Sequence, residues 1–288
     1  MRLACLAAAG LEGVDGYVVQ VEVSRIEPTT GIGRTTVVGL PDIAVRESID
    51  RITPALVSSG FRHPPADHVV VNLAPADRRK EGPAFDLAIA LGLAATVNEN
   101  GLELPADTLF LAELALNGNL RPVRGVLPAV IAARDAGLTR AVVAPGNLAE
   151  AAVVRGIAVY APINLAACVS LIREGFKAAP TVLVESVDVV YQGPCLSDVR
   201  GQEHAKRALI IAAAGGHNLL LIGPPGSGKT MLARRLPGLL PPMTSEEALD
   251  ASRVHSVSGL LPAGAGLLRE RPFRAPHHNV SGVGLIGG

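Results

Sequence analysis

The 288 residues carry a formal net charge of zero, so no overall field marks nucleic acid or an anionic membrane as partner, and any polyanion site must be local. With 49% hydrophobic and 18% charged residues the chain is rich enough in apolar side chains to pack globular cores, which argues against disorder. The length exceeds that of a typical domain of roughly 100 to 200 residues and suits two.

The opening MRLACLAAAGLEG has only a short apolar run, followed at once by Glu12 and Asp15, unlike a secretory leader. No uninterrupted apolar run approaches the roughly 20 residues that span a bilayer. A soluble, cytoplasmic protein with no membrane partner is expected. Cys5, Cys168 and Cys195 are odd in number and form no C-x-x-C pair, which fits a reducing compartment and buried apolar thiols.

Tyr17 to Ile26 and Thr35 to Leu40 are rich in β-branched residues and partly alternate, as half-buried strands do. From Asp42 to Ser59 apolar residues recur at helical spacing (Ile43, Ile49, Ile52, Leu56). Asp42 is placed to cap this helix, Pro54 to kink it and Gly60 to follow its end. HVVVNL from His68 reads as a strand, DLAIALGLAA from Asp86 as a helix, TLFLAELAL from Thr108 as a strand and VLPAVIAARDAG from Val126 as a helix. AVVAP from Ala141 and IAVYAP from Ile157 read as further strands. This alternation predicts an α/β or α+β domain over residues 1–177. Residues 178–194 lose helical periodicity between Pro180 and Pro194 and read as a linker. Over 195–288 a helix within LSDVRGQEHAKRALIIAAAGG, a strand at HNLLLIG and a helix at GKTMLARRLPGLLPP, stopped by Pro237, are expected.

That strand, loop and helix context surrounds GPPGSGKT, which satisfies the phosphate-loop pattern G-x-x-x-x-G-K-[ST]. Gly223, Gly226 and Gly228 let backbone N–H groups turn toward a β-phosphate, Pro224 and Pro225 stiffen the entry, and Ser227 completes the loop. Lys229 is one of only four lysines; it is expected to bridge the β- and γ-phosphates, with the Thr230 hydroxyl on magnesium. ATP and Mg2+ are the cofactors this implies.

LSDVRGQEHAKRALIIAAAGGHNLLLIGPPGSGKT resembles the AAA+ class, whose D-[IV]-x-G-Q segment packs against adenine; Val199, Gly201 and Gln202 occupy the matching positions. RPFRAPHH at Arg271 to His278, VGLPDIAVRES at Val38 and NLAPADRRKEGPAFDLAIALG at Asn72 resemble the ComM and YifB family of magnesium-chelatase-like ATPases over nearly the whole chain. The resemblance implies an α/β chain. A Lon-protease-like α+β domain, of the kind also seen in the second domain of ribosomal protein S5, occupies 1–177, and the start of a P-loop AAA+ domain occupies 195–288. It further implies a homo-hexameric ring acting on branched or single-stranded DNA, as a branch-migration helicase in natural transformation, hence competence.

The chain departs from that pattern in two places. A Lon-type serine within K-[DE]-G-P-S, activated by a distant lysine, is replaced by KEGPA, with Ala84 at the nucleophile position and Leu127 at that of the base, so proteolysis is not expected. No apolar run ending in Asp-Glu, the Walker B pattern, follows the loop before Gly288, and no arginine finger is identifiable, so these residues are expected to bind ATP and hydrolyse it poorly. A chelatase-type remodelling ATPase and a non-hydrolysing assembly module are the alternatives. Arg271, Arg274, His277 and His278 form a basic cluster suited to DNA phosphate or to an inter-subunit loop. The run RRK at Arg78 to Lys80 reads as a solvated turn, and Arg46, Glu47 and Asp50 as the wet face of a helix.

Overall fold

A computed structural model describes residues 2–26, 34–61, 68–97, 101–180, 193–262 and 264–276. They fall into two compact units, one of residues 1–184 with 252–267 and one of residues 185–251 with 268–288.

The first unit is built on a sheet of seven strands in the order β3-β4-β2-β1-β5-β8-β9. β1 (Arg2–Glu12) and β2 (Asp15–Ile26) form an antiparallel hairpin, with Glu12 opposite Asp15 across a tight turn where Gly13 takes φ +61°. β4 (His68–Ala74) pairs antiparallel with β2, and β3 (Thr35–Val38) pairs parallel with β4 at the edge. On the other side β5 (Thr108–Leu111), β8 (Arg140–Val143) and β9 (Ala158–Tyr160) continue from β1 in parallel. The sheet is therefore mixed and mostly parallel, as an α/β reading requires.

Alternation explains which residues fill the core. Val19, Val21 and Val23 of β2 and Val69, Val71 and Leu73 of β4 point to one face and are buried. α2 (Asp86–Thr96) packs into that layer against β1 and β2, with α1 (Ile43–Ser58) against it in turn. Ten of its eleven residues are buried, which explains why DLAIALGLAAT lacks a polar face. Gly92 lets α2 approach so closely that an added Cβ would lie 2.4 Å from Val23 Cγ2. α3 (Val126–Asp135) packs on β1 and β2, with Gly16 of β2 at the backbone of Pro128. α4 (Leu148–Ala151) lies in the connection between β8 and β9, and α5 (Leu165–Arg173) follows β9.

α1 follows its sequence signals closely. Asp42 Oδ1 accepts from Val45 N at 2.7 Å as the expected cap, the helix runs through Pro54 to Ser58, and Arg46, Glu47 and Asp50 are exposed. The opening residues, for which no element was expected, form β1; its alanine-rich run gains order from strands on both sides. Three expectations need correction. TLFLAELAL is divided between β5 and β6 (Glu113–Leu114), which pairs with β7 (Leu120–Arg121) in a separate two-stranded sheet. Cys168 is buried, with its thiol pushed up to about 12 by desolvation, but Cys5 and Cys195 are exposed because a strand face and a 3-10 turn carry them to the surface. RRK is only partly solvated: Arg78 and Arg79 are exposed, while Lys80 is fully buried, its ammonium donating to Pro75 O and to Arg78 O (2.7 Å). Burial holds that ammonium below the usual lysine range. Most of the expected linker, residues 181–192, lies outside the described residues.

The second unit contains α6 (Glu203–Gly215) and α7 (Lys229–Ala233). α8 (Ser245–Ser258) has its first residues in this unit and its last in the first. α6, within the segment expected to be helical, ends at Gly216 in the left-handed region at φ +63°. A small core of Val199, Leu209 and Leu232, flanked by Leu196, Leu221, Leu236 and Leu239, holds α7 against α6.

Candidate nucleotide-binding site

The loop from Gly223 to Gly228 enters α7 through two glycines at positive φ, Gly226 at +81° and Gly228 at +86°. L side chains rarely adopt that conformation, so GxG is required by the turn itself. Gly228 is the residue before α7, and the first N–H groups of the helix open toward the loop. The Lys229 ammonium lies against the loop, donating to Gly223 O and Pro224 O, both at 2.8 Å, with Ser227 Oγ at 3.4 Å. Pro224, Pro225, Gly226 and Thr230 are exposed, so the loop's outer surface and the hydroxyl next to Lys229 are open to a ligand.

The upstream motif reaches the same place by two routes. Gly201 and Gln202 both take positive φ, +67° and +61°, turning the chain into α6. From that turn Gln202 Nε2 donates to Ser227 O at 2.9 Å, joining two motifs 25 residues apart. Val199 is buried in the core beneath α7, where it supports the loop from behind. Leu232, two residues beyond Thr230, packs into the same core and anchors the helix that carries Lys229.

HNLLLIG does not form the expected strand. Leu220 and Ile222 are 80% and 87% exposed, and the described residues of the second unit contain no strand. A β-strand needs a neighbour to take its N–H and C=O groups, and none is present there. The helix after the loop is likewise shorter than expected, ending at Ala233 with a separate 3-10 turn over Pro237–Leu239.

The described start of RPFRAPHH is tied to the beginning of α8 through Arg271. Arg271 donates through Nη2 to Glu247 Oε2 at 2.9 Å and Nη1 to Oε1 at 3.3 Å, and its Nε donates to Pro241 O at 2.8 Å. Glu247 in turn accepts from Thr244 N (2.9 Å) while Thr244 Oγ1 accepts from Glu247 N (3.1 Å), a reciprocal cap at the start of α8. These bonds, led by that from the Thr244 backbone, hold the Glu247 carboxyl below the usual glutamate range. Arg274 is exposed, and His277 and His278 lie outside the described residues.

In the first unit Ala84 sits in the 3-10 turn Pro83–Phe85 just before α2, and Leu127 is buried in α3. Neither carries a reactive group. Sequence reasoning missed the ionisable group next to Ala84: Asp86, fully buried, accepts from Arg51 Nε (3.0 Å) and Nη2 (3.2 Å) and from Leu114 N (3.2 Å). Burial pushes its carboxyl up to about 6 against the opposing pull of Arg51. An aspartate opening an otherwise apolar helix was the available signal. Among the described residues no group of three or more His, Cys, Asp or Glu is placed to hold a metal ion, and no helix is long and apolar enough to cross a membrane.

Two family models match the chain: "Magnesium chelatase, subunit ChlI" over residues 195–288, and "Subunit ChlI of Mg-chelatase" over residues 21–147. The chain is 42% identical over 295 residues to competence protein ComM of Haemophilus influenzae and 38% identical over 288 residues to YifB of Escherichia coli. In both cases the whole chain is covered but only 56% of the relative, so the chain spans about half the length of these proteins. A weaker likeness, 27% identity over 150 residues, links 48% of the chain to 17% of a Lon protease of Phenylobacterium zucineum. Two chelatase-type models and similarity along its entire length place the chain in the ComM and YifB family of magnesium-chelatase-like proteins.

Proposed function

We propose that this chain binds ATP with magnesium at Gly223 to Thr230 and belongs to a DNA-acting motor. The observation that carries the nucleotide reading is the convergence of Gly226, Gly228, Lys229 and Gln202 on one loop. The groups there fit a triphosphate: a lysine ammonium, backbone at positive φ with open space at Gly226, and the first N–H groups of a helix. Lys229 would exchange its two carbonyl contacts for β- and γ-phosphate oxygens, and Thr230 would offer its hydroxyl to the metal. Gln202 fixes Ser227 and keeps the loop's curve, Gly201 stands on the side proposed for adenine, and Val199, buried in the core, acts by supporting the loop from behind. Bound Mg2+ supplies charge neutralisation between the phosphates; the residues named here orient and hold them.

The DNA reading rests on family membership and on the relative whose printed name is a competence protein. Branch migration by a hexameric ring, ATP turnover and a cytoplasmic location belong to the same proposal. Within it residues 1–177 are a Lon-like module without a catalytic dyad, 178–194 a linker and 195–288 the start of the motor. Arg271 is engaged with Glu247, so of the basic cluster Arg274, His277 and His278 are the residues proposed for DNA or a neighbouring subunit. The chelatase descriptions of both family models favour a second reading, a motor that remodels a metal-inserting enzyme.

The two readings separate in one assay. ATP turnover is measured with a chain extended to the relatives' length, with and without branched DNA. Stimulation by branched DNA, lost in Arg274→Ala, supports the DNA motor. Turnover indifferent to every DNA form excludes it.

A further inference from the structure

α3 begins without a cap of its own. Gly125 before it is left-handed at φ +71° and offers no side chain, and the Leu127 N–H is instead taken by Glu150 Oε1 at 2.9 Å. A carboxylate there also suits the positive end of the helix. Glu150 is 92% buried, with relative exposure of 8%, and its bonded partners are neutral: Leu127 N, Asn147 Nδ2 on Oε2 at 3.2 Å, and the Ser256 hydroxyl on Oε1. Asn147 is itself fixed by Val123, accepting from its N–H and donating to its C=O, both at 2.9 Å. Two of the three donors thus come from the local fold, and the third comes from 106 residues along the chain.

Ser256 serves the same turn twice, because its carbonyl also accepts from Gly125 N at 3.1 Å. Around it the segment is seated at further points of the first unit. Ser252, one helical turn earlier, is fully buried, and Arg253 pairs with Asp15 at the β1–β2 turn. Gly259, at φ +68°, brings backbone so near Arg124 that an added Cβ would lie 2.6 Å from its Nε. A buried carboxylate is tolerated only while its oxygens are hydrogen-bonded, so losing Ser256 forces water onto Glu150 and onto the start of α3.

We propose that residues 252–262 are a releasable strap, latched by Ser256 to Glu150, and that its release uncaps α3. The first unit is then not a self-contained module: it is completed by a segment that the sequence places after the phosphate loop, and the state of that segment is read at the Leu127 amide. This holds whether or not the loop binds nucleotide.

Hydrogen exchange followed by mass spectrometry on the 288-residue chain tests the latch. Ser256→Ala should raise exchange roughly tenfold both at the start of α3 and in peptides covering residues 252–258, the loss expected for one bond to a charged group. Ser256→Thr, which keeps the hydroxyl, should restore protection, and peptides of β2 and β4 should be unaffected. Should Ser256→Ala fail to fold, Arg253→Ala must open the same two regions together. Unchanged protection at α3, opening of the strap alone, or uniform loss of protection through β2 and β4 would overturn the proposal.

Discussion

Two apolar segments with similar sequences meet different fates in this molecule. HVVVNL in the first unit becomes β4, hydrogen-bonded on both sides, with Val69, Val71 and Leu73 buried. HNLLLIG before the phosphate loop stays irregular, with Leu220 and Ile222 largely exposed. Both read as strands, yet only one has neighbours. Hydrophobicity and β-propensity nominate a strand, and partners to take its backbone groups make it one.

The largest expected effect sharpens that contrast. Leu91→Ala, in the fully buried α2, should destabilise the first unit by about 2 to 5 kcal/mol in urea unfolding, the usual cost of a cavity in a packed core. Ile222→Ala, at an exposed position of comparable side-chain size, should stay within about 0.5 kcal/mol. Equal losses would mean that the loop-side segment is packed in solution.

A somewhat smaller effect comes from the buried pair of Arg51 and Asp86. The carboxyl of Asp86 is raised from 3.8 to about 6, chiefly by burial, so between those values the folded chain keeps a proton that the unfolded chain has released. Stability therefore falls as pH rises through that window, by up to about 3 kcal/mol, and levels off above it. Asp86→Asn should flatten this slope in denaturant unfolding between pH 4 and 7. A slope of opposite sign would show that the Arg51 charge outweighs burial.

Legibility in the sequence followed the range of the interactions. α1 with its Asp42 cap, the apolar helix α2 and the presence of α6 were readable because their signals lie within a few residues. β1 was not, since an alanine-rich run becomes a strand only through β2 and β5. Lys80 looked like a solvated charge because nothing in RRK foretells two backbone carbonyls closing over its ammonium. At the candidate site the glycines and Lys229 were legible from the motif, and the Gln202 bond to Ser227 follows from the upstream pattern once folded. The role of Arg271 was not, because its partner Glu247 lies 24 residues away and belongs to a helix cap that only the fold assembles.

The central claim is that Gly223 to Thr230 hold a magnesium nucleotide, and calorimetric titration of this chain with ATP tests it most directly. Saturable binding that requires Mg2+ and is lost in Lys229→Ala, with the unfolding transition of the first unit unchanged, is the predicted result. Absence of binding by the unaltered chain, or equal binding by Lys229→Ala, would contradict it.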